Sequence, residues 1–197
     1  MSNDEGVTSY RSKPAAFTGV VLLAVGLWLM IDTLVRGSGR TALMVIGVVL
    51  ALGTVVFALT LRAAVFAGPE RLVIRNPFRG IEIPWGAIDE IRAEYSLEVR
   101  AQGKSFHIWA IPVSLRERKR ALRANARATA EDPMDRGHSS VHYIPQAAVA
   151  DHALADLRGM AEQFAKESTG DVKAVWYLPV LAPIVVGIVL AAVAAAL

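Results

Sequence analysis

Thr41–Leu61, TALMVIGVVLALGTVVFALTL, runs for 21 residues without a charged side chain. A helix rising about 1.5 Å per residue covers roughly 31 Å over that length, which is the thickness of a bilayer's hydrocarbon core. The solvent is decided first: this stretch reads as a transmembrane helix. Upstream, Ala15–Ile31 is likewise uncharged and gives a span expected over 15–35. Downstream, Ala174–Leu197 gives a third, with twelve Leu, Ile or Val residues from Val175 onward. Pro179 and Pro183 fall in its first two turns, where fewer backbone donors are lost, and Trp176 and Tyr177 stand at its start as interfacial aromatics do.

A hydrophobic content of 54% with 20% charge is too apolar for a disordered chain, and the three spans carry most of the excess. There is no cysteine, which excludes disulfides, thiolate chemistry and Cys-based zinc sites. Residues 1–14 form a polar N-terminal tail. Its acids Asp4 and Glu5 lie beside Arg11 and Lys13, and no A-x-A site follows the first apolar run, so a retained helical hairpin is expected rather than a cleaved signal peptide. The hairpin loop Arg36–Arg40 offers two Arg. The other side offers Arg11, Lys13, Arg62, Arg71, Arg75, Arg79, Lys166 and Lys173. The positive-inside rule then predicts a multi-pass protein of the cell (cytoplasmic) membrane, with N-terminus and central domain cytoplasmic and C-terminus outside. Asp32, near the end of the first span, is close enough to the interface to be solvated.

Between the second and third spans the periodicity changes to two. Leu72 and Ile74 alternate with Arg71, Val73 and Arg75; Asn76-Pro77-Phe78-Arg79-Gly80 supplies a turn; Ile81 and Ile83 flank Glu82. A run from Ile88 to Tyr95 follows, and then a hairpin with Leu97, Val99 and Ala101 on one arm and Phe106, Ile108 and Ala110 on the other, turning at Gln102-Gly103. Five short strands over 62–112 predict a curved antiparallel meander. Ser114-x-x-Glu117 opens an Arg-rich helix within 113–144, carrying Arg116, Arg118, Lys119, Arg120, Arg123 and Arg127. Val141–Ile144 reads as one more short strand. The segment 145–169 is an amphipathic helix, with Val149, Ala153, Leu157, Met160 and Phe164 at three- and four-residue steps. It needs an apolar surface, and the open end of the meander is the available one.

An antiparallel half-barrel closed by a C-terminal amphipathic helix is the outline of a pleckstrin-homology (PH)-like fold. The stretch Gly68–Ile111 resembles the bacterial PH-like domain family of actinobacterial membrane proteins, a group that includes a mycobacterial low-molecular-weight antigen. The resemblance is carried by Leu72-Val73-Ile74-Arg75-Asn76-Pro77-Phe78-Arg79, then Ile83-Pro84-Trp85 with Ile88 and Ile91, then the strand pair ending at Trp109. It implies a PH-like fold in a membrane setting, commonly behind a two-helix hairpin as here. With the third span read from hydropathy, the chain is expected to be an α-helical membrane protein with three transmembrane helices and a cytoplasmic α+β domain. The basic insertion and the third span depart from the minimal family plan.

Candidate sites are few. Arg71, Arg75 and Arg79 stand near the first hairpin, where phosphoinositide-binding PH domains carry basic residues, yet the region 62–112 holds seven basic and six acidic residues and its field is nearly balanced. The six cations from Arg116 to Arg127 suit contact with anionic lipid, at about 1 kcal/mol per residue near the surface, or a solvated connector. No recognition motif or stacking aromatic accompanies them, so nucleic acid is not an expected partner. His138 and His142 have the spacing of zinc ligands without the helix that would align them, and no metal or cofactor is expected. His107 reads as a sheet-surface residue, and Trp85 and Trp109 as packing residues. In the third span, Gly187, Ala191 and Ala195 form a stripe that suits close packing within the chain or between copies. P-loop, G-x-S-x-G, G-x-G-x-x-G and H-E-x-x-H patterns are missing, so a non-enzymatic protein is expected. The function expected is protein docking or scaffolding by the PH-like domain, with the lipid bilayer and other membrane or cytoplasmic proteins, itself included, as partners. The alternatives are an anionic-lipid sensor acting through 114–127 and an accessory subunit of a membrane enzyme or transporter.

Overall fold

The computed structural model describes residues 7–93, 96–111 and 145–197, with side chains from residue 150 onward in the last segment. The Arg-rich segment 113–144, with its short strand expected at Val141–Ile144, lies outside them. Among the described residues, three helices are long and apolar enough to cross a membrane. The first, α1 (Lys13–Arg36), starts at Ser12, whose hydroxyl accepts from the Ala15 N–H, with Pro14 in its first turn. The second, α2 (Gly39–Phe57), is capped by Ser38 in the same way and continues through a wide turn to Arg62. The last is α4 (Leu178–Ala196). Asp32 pairs with Arg36 at 3.0 Å on the exposed end of α1.

Helix α4 packs along α2 through glycine. A Cβ placed on Gly187 would stand 2.5 Å from the Gly47 carbonyl oxygen and 2.7 Å from the Ala51 nitrogen. A Cβ on Gly47 would meet Ala191 N and Gly187 O at 2.6 Å. Gly187 and Ala191 of the small-residue stripe are therefore used within the chain, where they bring two backbones together, while Ala195 is exposed. At the far end of the pair, the Arg40 guanidinium donates to the Ala194 and Ala195 carbonyls, each at 3.0 Å. It satisfies acceptors that a helix C-terminus leaves open and sits at the negative end of the dipole. The end of α4 thus lies beside the α1–α2 loop.

The remaining elements form two antiparallel sheets around one core. Strands β1 (Thr8–Tyr10), β2 (Ala64–Ala67), β3 (Arg71–Arg75), β4 (Arg79–Pro84) and β8 (Lys173–Trp176) pair in the order β1-β2-β3-β4-β8. Strands β5 (Ile88–Ala93), β6 (Leu97–Ala101) and β7 (Lys104–Ile108) make the second sheet. The period-two pattern does what it predicts: Leu72 faces Ile83, Ile74 faces Ile81, and all four are buried. Gln102 and Gly103 both have positive φ (50° and 72°), the two-residue turn whose twist matches the flanking strands. Helix α3 (Pro145–Phe164) closes the core, burying Ala150, Ala153 and Leu157, with Met160 and Phe164 packed beside them. Two polar ties hold it: Tyr10 donates to Asp156 (2.9 Å), and Arg158 donates to the Ile91 carbonyl (2.7 Å).

Three strands were not expected from the sequence. Thr8–Tyr10, read as polar tail, pairs with β2, and Ala64–Ala67 pairs with β3. The third is Lys173–Trp176. Sequence alone puts residues 174–176 in the last span, but they form β8 against β4, Arg79 facing Trp176 and Glu82 facing Lys173. An apolar run leading into a helix has the same hydropathy either way, and hydrogen bonding to an open sheet edge decides for strand.

Candidate functional site

Each long helix runs directly into the five-stranded sheet. Only Arg11 and Ser12 separate β1 from α1, only Ala63 separates the turn ending at Arg62 from β2, and only Tyr177 separates β8 from α4. At this junction three arginines lie over three aromatic rings. The Arg62 guanidinium carbon is 4.0 Å from the Tyr177 ring centroid, Arg75 is 4.5 Å from Phe66, and Arg79 is 5.0 Å from Trp176. Register explains the grouping: Arg75 faces Ala64 and Gly80, and Arg79 faces Trp176. Arg62 also donates to the Asn76 and Pro77 carbonyls, tying the β3–β4 turn to the helix end. Among the described residues, neither Arg75 nor Arg79 has a carboxylate partner. Stacking uses the face of a guanidinium and leaves its N–H edge for an anion.

The Asn76 side chain extends the junction to the second sheet. Its amide donates to the His107 carbonyl at 2.7 Å and accepts from the Trp109 N–H at 3.2 Å, as a strand residue would. Trp109 itself is 61% exposed. Below the junction, α1, α2 and α4 enclose an apolar groove of about 550 Å³, with Tyr177 among the lining residues at its domain end.

The opposite end of the domain is polar. Ser168 is a buried hub: its hydroxyl accepts from the Trp85 N–H (2.8 Å) and donates to the Glu70 carbonyl, while its own carbonyl accepts from the Gly86 N–H (2.8 Å). A Cβ on Gly86 would stand 2.5 Å from the Ala165 carbonyl oxygen, so only glycine permits this approach of α3's end. Beside the hub is a depression of about 430 Å³ whose lining includes Glu70, Glu82, Glu167 and Asp171 against Arg71 and Lys173. A second hollow of about 500 Å³ separates α3 from β5 and holds Asp89, Glu90, Arg158 and Glu162. There the hydrogen bond from Arg92 holds the exposed Glu90 carboxyl below its ordinary value.

The residues singled out in the sequence separate cleanly. Arg71 pairs with Glu82 (3.0 Å) and Glu70 at the polar end, so it does not join Arg75 and Arg79 at the junction. Arg62 and Tyr177 do join them, although in the sequence each marks only the end of a span. Arg116, Arg118, Lys119, Arg120, Arg123, Arg127, His138 and His142 lie outside the described residues. His107 is exposed beside Ser96 and Glu98, a sheet-surface residue as expected. Trp85 is buried, and its indole N–H donates to the Gly68 carbonyl. No cluster of three metal-ligating side chains occurs among the described residues.

Two packed antiparallel sheets with a helix over the open end have the outline of a PH-like domain. Residues 62–135 match the family model of a bacterial PH domain. The match starts at Arg62, at the junction, and takes in β2 to β7. It supports a bacterial PH-like family, a domain type that implies interaction with protein or lipid. No curated protein and no solved structure matches the chain.

Proposed function

We propose that this chain is a non-catalytic integral membrane protein of the cell membrane, and that its PH-like domain is a fixed docking platform on the cytoplasmic surface. The supporting observation is continuity: β1, β2 and β8 belong to one sheet and each leads into a candidate span within two residues. A domain on a flexible linker samples many orientations. One joined through three short connections presents the same face to the cytoplasm at all times, and preorganisation of that kind favours a docking partner. The polar end around Ser168, with its two hollows, is the face turned away from the helices, and partners of the chain bind there. The kinship with actinobacterial membrane proteins rests on Leu72–Arg79 and Ile83–Trp85.

The test is site-specific photocrosslinking in native membranes. Crosslinkers replacing Glu70, Glu162 or Glu167 on the polar end should each give a discrete protein adduct, whereas one replacing Leu22 on the exposed face of α1 should give lipid. If no polar-end position yields a discrete protein adduct, the docking reading is wrong. Lipid sensing through Arg116–Arg127 rests on sequence alone. It predicts that neutralising those six cations changes lipid-dependent behaviour while the adducts persist.

A further inference from the structure

We propose that the groove between α1, α2 and α4 and the arginines at its mouth form one binding site for an anionic glycerophospholipid. The lipid comes from the leaflet facing the domain, with an acyl chain in the groove and the phosphate at Arg62, Arg75 and Arg79. The inference rests on the membrane reading above and adds a ligand to it. The groove floor is α2, with Leu50 and Gly53; Leu23 and Met30 of α1 and Val180 and Pro183 of α4 are the walls. From Phe57 to Ile46 the floor descends eleven residues, about 16 Å, which is close to the depth of one leaflet of a roughly 30 Å core. Its volume of about 550 Å³ falls within the usual range for a small-molecule pocket. The Thr54 hydroxyl donates to the Leu50 carbonyl (2.6 Å), so this lining group makes no demand on an occupant.

Charge selects the occupant. Arg62 and the groove share Tyr177, so the guanidinium is at the mouth. By strand register Arg75 and Arg79 lie at the same end of the sheet, each on an aromatic ring and each without a carboxylate partner among the described residues. A transmembrane helix of a partner would fill the apolar groove but would bring no anion to these cations. A zwitterionic lipid brings a phosphate together with its own cation. A lipid with a net negative headgroup satisfies both halves of the site, through charge-assisted hydrogen bonds to guanidinium edges.

The experiment is native mass spectrometry of the full chain, delipidated in mild detergent and titrated with phosphatidylglycerol or phosphatidylcholine of identical chains. Phosphatidylglycerol should bind as a single adduct at least about tenfold more tightly, given an arginine contribution of about fivefold each near a membrane surface. The Arg75→Gln/Arg79→Gln variant, altered at exposed strand positions, should weaken phosphatidylglycerol about 25-fold on the same scale and leave phosphatidylcholine unchanged. Gly53→Phe should fill the groove and weaken both lipids. Equal binding of the two lipids overturns the proposal, as does insensitivity to the arginine variant. So does a protein dimer that phosphatidylglycerol fails to dissociate, which would assign the groove to a second copy. Should Gly53→Phe fold poorly, the arginine variant decides alone. Release of the chain from membranes by alkaline carbonate is the separate sign that the membrane reading itself has failed.

Discussion

Replacing Gly187 with alanine adds one methyl group where two helix backbones meet. The new Cβ would lie 2.5 Å from the Gly47 carbonyl oxygen, 2.7 Å from the Ala51 nitrogen and 3.0 Å from the Ala51 Cβ. Ordinary contact begins at 3.4 Å, so α2 and α4 must part by 0.9 Å at this crossing. None of the three neighbours is the tip of a flexible side chain that could rotate away. Overpacking of this kind costs about 1–3 kcal/mol. Helix propensity pulls the other way, because alanine in a helix interior is favoured over glycine by about 0.5–1 kcal/mol. The two effects differ in sign, and that makes the experiment decisive. If the crossing is as close as described, Gly187→Ala melts lower; if it is loose, propensity wins and the variant melts higher. In detergent, followed by tryptophan fluorescence, a net loss of about 1–2 kcal/mol lowers the midpoint by about 2–8 °C for a chain of this size. Gly187→Val should fall further. Ala192→Val, on the exposed face of the same helix, should stay within about 2 °C of the parent, as surface substitutions do. A Gly187→Ala midpoint at or above that of the parent would refute the packing argument.

Other consequences are more local. Ser168→Ala strands the Trp85 N–H and the Glu70 carbonyl near the base of the core, and chemical denaturation should show a loss of about 1–3 kcal/mol. Gly159 lies on the exposed face of α3 with nothing near its Cβ position, so Gly159→Ala should raise stability by about 0.5–1 kcal/mol in the same assay. Burial and the neighbouring Asp156 carboxylate, which accepts its hydrogen bond, raise the Tyr10 phenol above its ordinary 10. A pKa raised by folding means a contribution fully present below pH 10 and lost as pH climbs toward the folded value. Stability measured against pH should therefore fall more steeply above pH 10 in the parent than in Tyr10→Phe; parallel curves would remove Tyr10 from the account.

The long-range order of the chain is legible because its two strongest signals are hydropathy over twenty residues and alternation over five. The first marks the three long helices, and the second marks β3 to β7, down to the turn at Gln102-Gly103. The stripe on α4 was visible as Gly187, Ala191 and Ala195, yet its partner was not, since Gly47 and Ala51 meet it from more than 130 positions away. Three strands escaped for a common reason. Thr8–Tyr10, Ala64–Ala67 and Lys173–Trp176 are three or four residues long, and the hydrogen-bonded neighbour that makes each of them a strand is itself non-local or hidden beside an apolar helix. The junction escaped likewise. Arg62 reads as a charge ending a span and Tyr177 as an interfacial aromatic, and both descriptions are true. Their contact depends on β8 returning beside β4, which no local pattern announces. One signal did point there: a basic residue stands near an aromatic at three span ends, Arg11 beside Tyr10, Arg62 between Phe57 and Phe66, and Lys173 before Trp176 and Tyr177.

The proposed orientation puts the β-rich domain in the cytoplasm and the α1–α2 loop outside. The absence of native cysteine makes a direct measurement possible. Single cysteines at Ser38 in the loop and at Ser105 on β7 are labelled in intact cells with a membrane-impermeant maleimide. Labelling of Ser38→Cys in intact cells, with Ser105→Cys reacting only after permeabilisation, is the predicted result. The reverse pattern, or equal labelling of both positions before permeabilisation, would contradict it.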